Sequence, residues 1–175
     1  VLFGSTGGIG NELCRYILTL GARLIMVDRN REKASLLKAE LLKEFSNAKI
    51  DTLTADLENL ESVKSVVDEL KKIPVYTIIH NAGAYSIPRK ILDTGLDNVF
   101  QINCAMPYYI TKELLPNLKG GRVIIVGSIA HNYSKSDPDD IDFRTRKKAS
   151  LVYGNAKRYL MYATLELSKS NPLIT

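Results

Sequence analysis

The chain opens on an apolar run, Val1-Leu2-Phe3, which breaks into Gly4-Ser5-Thr6-Gly7-Gly8-Ile9-Gly10 and resumes as an amphipathic stretch from Glu12 to Leu20. No other feature restricts the fold as much. A strand, a glycine turn and a helix in immediate succession bring the unbonded N–H groups of a helix start to the carboxyl edge of a strand. Glycine lets the backbone approach a ligand closely, and such a turn suits a pyrophosphate. Gly4, Ser5, Thr6, Gly8, Ile9 and Gly10 are therefore candidate ligand-binding positions. Their spacing differs from the commoner GxGxxG pattern, and no GK[ST] follows, which disfavours a nucleoside-triphosphate loop. A tight turn without a ligand is the alternative.

The same unit recurs along the chain. Apolar runs predict strands near 1–3, 23–27, 49–54, 76–80 and 122–127. Periodic stretches between them predict helices over 9–20, 31–45, 60–71, 95–118 and 150–169, with Pro74 and Gly120-Gly121 punctuating connections. Strict alternation implies an α/β protein: a doubly wound parallel sheet with helices on both faces and right-handed crossovers. With 175 residues, 45% of them hydrophobic, the chain can bury one core. We expect a single domain over 1–175, cut inside its first strand and again at Asn171-Pro172-Leu173-Ile174-Thr175, where another strand is due.

Composition excludes several classes. Cys14 and Cys104 have no paired spacing, fall in expected helices and read as small buried residues, consistent with a cytoplasmic, disulfide-free protein. No metal site is expected. No run of eighteen apolar residues predicts a membrane span. The net charge of +5 is spread over helix faces. Its one cluster, Arg144-Thr145-Arg146-Lys147-Lys148, follows Asp137, Asp139, Asp140 and Asp142, as in a solvated dipolar loop, so no nucleic-acid partner is expected.

Two further positions carry chemistry. Asp28 ends the second apolar run 18 residues after Gly10, close to the interval at which dinucleotide-binding folds place a carboxylate on the adenosine ribose. Arg29 follows it. A carboxylate repels the extra phosphate of NADP and a guanidinium binds it, so the pair leans to NAD while leaving NADP open. Near the other end, Tyr153 and Lys157 lie one helical turn apart on one face. An ammonium beside a phenol favours the tyrosinate and makes the pair a candidate proton-transfer group.

Six features in register resemble the short-chain dehydrogenase/reductase family, in its compact branch. They are Gly4-xxx-Gly8-x-Gly10, Asp56-Leu57 after the third strand, Asn81-Ala82-Gly83 after the fourth, Asn103 in the next helix, Ser128 after the fifth strand, and Tyr153-xxx-Lys157. The resemblance implies a Rossmann fold and an NAD(P)-dependent oxidoreductase that moves a hydride between a nicotinamide and a carbonyl or alcohol carbon. It assigns proton transfer to Tyr153 and the holding of the substrate oxygen to Ser128. Lys157 would lower the phenol's proton affinity and bind the nicotinamide ribose. Asn103 would kink its helix and hold a water linking Lys157 to solvent. Asp56 would sit near the adenine amine, with a helix-capping aspartate as the alternative. Asn81-Ala82-Gly83 would support the sheet beside the cofactor, and His80 reads as a packed strand-end residue. The resemblance also implies a small-molecule partner and a homo-oligomer, dimer or tetramer, with Met106, Tyr109, Leu160 and Leu165 as candidate apolar faces.

The chain departs from the family pattern in two ways. Ser128 and Tyr153 are 25 residues apart, longer than usual, so His131 to Ala149 form an insertion like that of retinol-dehydrogenase-like members. It lines the substrate pocket, through Tyr133 and Phe143, or is a surface excursion; His131 is a substrate contact or a solvated loop residue. The other departure is the absent C-terminal strand and lid. Two alternatives to an oxidoreductase remain: a dinucleotide-binding redox sensor or scaffold without turnover, which the intact Tyr/Lys pair disfavours, and a sugar-nucleotide epimerase or dehydratase, which the glycine spacing disfavours.

Overall fold

A computed structural model describes residues 1–141, 145, 148–171 and 174. Five strands, β1 (Leu2–Phe3), β2 (Leu24–Asp28), β3 (Ile50–Thr54), β4 (Val75–His80) and β5 (Leu118–Ile125), form one sheet in the order β3-β2-β1-β4-β5. Every pairing is parallel. Strand order reverses beside β1, and the crevice outside the carboxyl ends of β1 and β4 is the place where open sheets of this kind bind ligands.

Parallel strands need covering on both faces, and the strand sequences meet that need. Alternate residues of β2 point opposite ways. Ile25 and Val27 join Phe3, Ile78 and Val123 in a core under α3 (Leu60–Lys71) and α5 (Met106–Leu114). Leu24 and Met26 join Leu2 and Ile79 in a second core under α1 (Gly8–Thr19) and α2 (Arg31–Glu44). The doubly wound architecture expected from the sequence is the one observed.

Helix starts differ in a way that bears on the site. Asn30 caps α2, Asn59 caps α3, and Asp97 caps the short α4 (Asn98–Phe100), each accepting from backbone N–H groups of the first turn. Gly7, at the start of α1, has no side chain to offer, and the first turn carries no acid.

Three expectations are corrected. The helix expected over 95–118 is shorter and interrupted: α4 runs through a π-turn at Gln101–Ala105 into α5, followed by a 3₁₀ turn at Leu115–Asn117. Gly120-Gly121 do not punctuate a connection but lie inside β5, where a Cβ on Gly121 would fall 1.3 Å from the Tyr76 carbonyl oxygen. Only glycine lets β5 pass β4 at the register shift between Val75 and Thr77. Met106 and Leu160 are core residues and Tyr109 packs against the core, so the large apolar positions that α5 and α6 (Ala149–Ser170) leave exposed among the described residues are Tyr108, Leu151, Tyr162 and Leu165.

The segment after Ser128 forms 3₁₀ turns at Ile129–Tyr133 and Pro138–Asp140 and packs against α6. Ser134 Oγ donates to the Leu151 carbonyl (3.2 Å), Arg158 Nε to the His131 carbonyl (2.9 Å), and Tyr159 Oη to the Asp137 carbonyl (2.8 Å). Phe143 and most of the basic cluster lie outside the described residues.

Gly154 makes that packing possible: a Cβ there would come 2.3 Å from Ser134 Oγ and 2.4 Å from the Ala130 carbonyl oxygen. Chemical denaturation of the full-length protein should show Gly154→Ala destabilised by about 1–3 kcal/mol. At Gly7 a Cβ meets nothing within 4 Å, so Gly7→Ala should stay within about 0.5 kcal/mol of wild type. Equal losses would mean that α6 does not rest on the 129–134 segment.

Candidate active site

The glycine turn is fixed from three strands. Gly4 N donates to the Val27 carbonyl (2.9 Å), Asn81 Nδ2 donates to the Gly4 carbonyl (2.7 Å), and Ala82 N donates to the Phe3 carbonyl (2.8 Å). Gly4 is in the left-handed region (φ +84°), and a Cβ there would meet the Ala82 backbone at 2.7 Å. At Gly10 a Cβ would stand 2.0 Å from the Gly4 carbonyl oxygen, so α1 packs on the turn only with glycine at this place. Gly7 and Gly8 face open space. The turn thus presents an uncapped helix start to a cleft of about 380 Å³. Bare backbone donors, no carboxylate in the first turn and clearance for close approach fit the pyrophosphate of a dinucleotide.

Of the candidate cofactor residues, Gly4, Thr6, Asp28, Arg29, Asp56, Leu57, Asn81, Ala82 and Gly83 line this cleft. Ser5 is buried beneath the turn, and Gly8, Ile9 and Gly10 lie outside the lining. Asn30, Lys33 and Ile102 line it too, and the sequence reading missed them. For Asn30 and Lys33 a usable signal existed: both follow Asp28 within a turn of the next helix. Asp56 does not cap α3; its Oδ1 accepts from Glu58 N (3.0 Å) in a local turn, and Asn59 is the cap.

Asp28 is 5% exposed and already engaged. One carboxylate oxygen accepts from Ser5 Oγ, the other from Thr6 N and Thr6 Oγ1, both at 3.0 Å. The carboxylate therefore latches the turn to β2, while Arg29 and Lys33 stand exposed beside it.

At the carboxyl ends of β4 and β5, α6 brings Tyr153 and Lys157 together. Lys157 Nζ lies 5.8 Å from the Tyr153 ring centroid and donates to the Val126 carbonyl (2.9 Å). It is 5% exposed, and burial pushes its pKa down to about 8, against a small opposing effect of Cys104. His80 and Cys104, the two buried titratable groups that interact with it, are neutral at pH 7. Burial, helped by the Lys157 charge, pushes His80 down to about 3, and burial pushes Cys104 up to about 12. His80 stacks on Phe3 and its Nε2 meets Thr111 Oγ1 at 2.9 Å, a packed strand-end residue.

Ser128 follows β5, half-buried, its Oγ accepting from Ala130 N (3.2 Å) and its carbonyl facing His131 Nδ1 (2.5 Å). His131 is thus turned to backbone, and Tyr133 is 71% exposed. Asn103 stands in the π-turn, fully buried, with both amide hydrogens engaged: Nδ2 donates to the Ala84 and Val99 carbonyls, each at 2.9 Å, and Oδ1 accepts from Ala84 N (3.1 Å). Gly83 lies between it and Lys157, a Cβ there falling 2.9 Å from Asn103 Oδ1 and 3.7 Å from Lys157 Nζ. Two residues absent from the sequence reading adjoin this group. Tyr85 meets the Tyr153 ring edge-on, with centroids 5.3 Å apart. Asn155, fully buried on α6, has neither side-chain polar atom hydrogen-bonded to any described residue.

A glycine-floored cleft at the switch point of a parallel sheet marks a dinucleotide-binding α/β domain. Within that class the chain belongs to the short-chain dehydrogenase family, whose model, described as short chain dehydrogenase, matches residues 1–136. It is 31% identical over 173 residues to the short-chain dehydrogenase TIC 32 A, chloroplastic, of Brassica napus, covering 90% of this chain and 53% of that protein. It is 27% identical over 178 residues to the polyprenol dehydrogenase of Homo sapiens, covering 97% and 54%. A crystal structure of an uncharacterized protein from Mycobacterium paratuberculosis superposes with a TM-score of 0.85 at 25% identity, over 97% of this chain and 60% of that one. The chain spans about half the length of these two curated relatives. Among the described residues, no helix is long and apolar enough to cross a membrane, and no group of His, Cys and carboxylates could hold a metal.

The depressed pKa of Lys157 has a sign that can be tested. Unfolded, the amine titrates near 10.5, so between pH 8 and 10.5 the unfolded chain binds a proton that the folded chain has released. Stability therefore rises with pH across that window, and the full cost of burying the charge applies below it. Lys157→Met should be more stable than wild type at pH 7 by about 1–3 kcal/mol in denaturant melts, after allowing for the lost Val126 bond. The gap should shrink by pH 10. A variant less stable than wild type at pH 7 contradicts the buried-ammonium account.

Proposed function

We propose that the protein is an NAD(P)-dependent oxidoreductase of a carbonyl or alcohol, with this chain supplying the cofactor cleft and the proton-transfer group. The observation that carries the reading is Lys157 held beneath the Tyr153 ring at the carboxyl edge of the sheet, with the glycine-floored cleft alongside.

The bound nicotinamide supplies or accepts the hydride. The turn from Gly4 to Gly8 would hold the pyrophosphate on backbone N–H groups, and Asp56 and Leu57, which line the same cleft, would take the adenine end. Tyr153 gives a proton to the substrate oxygen, or takes it, and Ser128 Oγ turns from Ala130 N to hold that oxygen as charge collects on it. Lys157 remains largely charged at pH 7, and with neutral neighbours its field acts mainly on the phenolate. Its Nζ also lies where a ribose hydroxyl can replace the Val126 carbonyl as acceptor. In this reading Asn103 is a positioning residue: its side chain ties α4 to Ala84 and has no amide hydrogen left for a relay water.

We also propose that the phosphorylated cofactor is preferred. The NAD reading rested on Asp28, whose oxygens are taken by Ser5 and Thr6, whereas Arg29 and Lys33 offer two cations at the same rim. A guanidinium next to an exposed lysine suits a 2′-phosphate.

Absorbance at the reduced-nicotinamide band, with full-length protein, each cofactor and a panel of ketones, should show turnover that Tyr153→Phe lowers at least a hundredfold. Cofactor binding without turnover on any ketone would favour a sensor or scaffold. Fluorescence titration should show NADPH bound at least tenfold more tightly than NADH, and Arg29→Ala should erase the difference. Equal affinities in wild type would return the choice to NAD.

A further inference from the structure

Tyr85 has no part in the account above, yet it touches the residue on which that account depends. Its ring lies 5.3 Å from the Tyr153 ring at an interplanar angle of 83°, while the residue as a whole is 58% exposed. The ring is tied to Tyr153 by this T-shaped contact, and the rest of it is open to solvent beside the proton-transfer group. Its hydroxyl bonds to no described residue, so no hydrogen bond accounts for its place.

The backbone, by contrast, is tightly determined on both sides. Before Tyr85, Ala84 has both N–H and C=O gripped by the one amide of Asn103. After it, Ser86 sits at φ 52°, the one non-glycine residue with positive φ among those described. A serine in the left-handed region stores strain, and such strain gathers where a chain must aim a side chain at a ligand. A clamp before and a reversal after leave Tyr85 little freedom of direction. Ile129, next to Ser128, is a second apolar side chain left exposed (70%) beside the group that would hold the substrate oxygen.

We infer that Tyr85 is a specificity-determining wall of the substrate site, taking the flat, unsaturated substituent of a ketone or carbinol against its exposed ring surface while its contact with Tyr153 steadies that residue. The inference rests on the oxidoreductase reading and narrows it to substrates with an aryl or conjugated group on the reacting carbon. Physically, a tyrosine ring buries large apolar area at little cost in side-chain freedom, and it prefers an aromatic partner over an aliphatic one of equal size.

The test compares acetophenone with cyclohexyl methyl ketone, similar in bulk but different in flatness, on full-length wild type, Tyr85→Phe and Tyr85→Leu. Wild type should favour the aryl ketone in kcat/KM. Tyr85→Phe, which keeps the ring, should keep that preference. Tyr85→Leu should lower it roughly fivefold, mainly through KM for the aryl ketone, with the pH profile of kcat unmoved. A fall in kcat of equal size for both ketones would make Tyr85 a structural support and overturn the inference, as would a wild type that prefers the cyclohexyl ketone. Loss of preference in Tyr85→Phe would point to the hydroxyl and overturn it too. Should Tyr85→Leu fail to fold in a melting scan, the wild-type preference and Tyr85→Phe still decide. Absence of turnover on every ketone is a different result: it removes the oxidoreductase reading and this inference together.

Discussion

The site depends on one close approach, that of the Gly4 turn to the two strands flanking β1. Gly4 is bonded to Val27 of β2, held through its carbonyl by Asn81 after β4, and packed so tightly on Ala82 and Gly10 that no side chain fits at either glycine. The strand pair and the first helix share this junction, so the sheet's switch point and the bare helix start coincide by construction. Asp28 adds a carboxylate to the same knot through Ser5 and Thr6. Much of what looks like ligand chemistry in these ten residues is therefore also fold chemistry. Asn81 is the clearest case: its side chain serves the Gly4 carbonyl, and only its flank lines the cleft.

The architecture was legible because the apolar runs alternate with helical periodicity at lengths that only parallel strands and crossovers satisfy. Strand and helix positions follow the sequence closely through α3. Legibility failed where the backbone does something local and unusual. A π-turn carries no periodicity of its own, so 95–118 reads as one helix although Asn103 bonds Val99 and Ala84 and breaks the ladder there. Paired glycines read as a turn, because nothing in the sequence shows that β5 must slide against the Tyr76 backbone. Tyr85 and Asn155 belong to no pattern. One is placed by a clamp and a reversal, the other by burial, and neither leaves a spacing to detect.

Spacing brought Tyr153 and Lys157 to one helix face, but the electrostatics of the pair needed the packed structure. Sequence suggests an ammonium that serves the phenol, and the fold adds that the ammonium is itself uncomfortable. Val126 offers a neutral carbonyl, His80 and Cys104 are uncharged, and water is largely excluded. A buried cation with no anionic partner among the described residues gains more from an emerging phenolate than an exposed lysine does, because the interaction is less screened. The discomfort of the resting state and the stabilisation of the reacting state share one cause.

The same logic explains why polar groups left unsatisfied gather on one edge of the sheet. The start of α1 has no side-chain cap where α2, α3 and α4 each have one, the start of α6 has none either, Lys157 holds only a carbonyl, and Asn155 on that helix holds nothing among the described residues. Of these, Asn155 is the one that is both buried and without a partner among the described residues, and such a group costs on the order of 1–3 kcal/mol. Elsewhere the chain keeps more of the local rules: Asx caps on α2, α3 and α4, and strand faces that are apolar on both sides of the sheet. Sequences break such rules where a ligand completes the bonding. The α1 start awaits an anion, and the Lys157 amine awaits an oxygen better than an amide carbonyl. Both lie on the carboxyl side of the sheet and are joined by the Asn81-Ala82-Gly83 segment, which packs on Gly4 at one end and beside Lys157 at the other, so a ligand seated on the glycine turn would run along that segment toward α6.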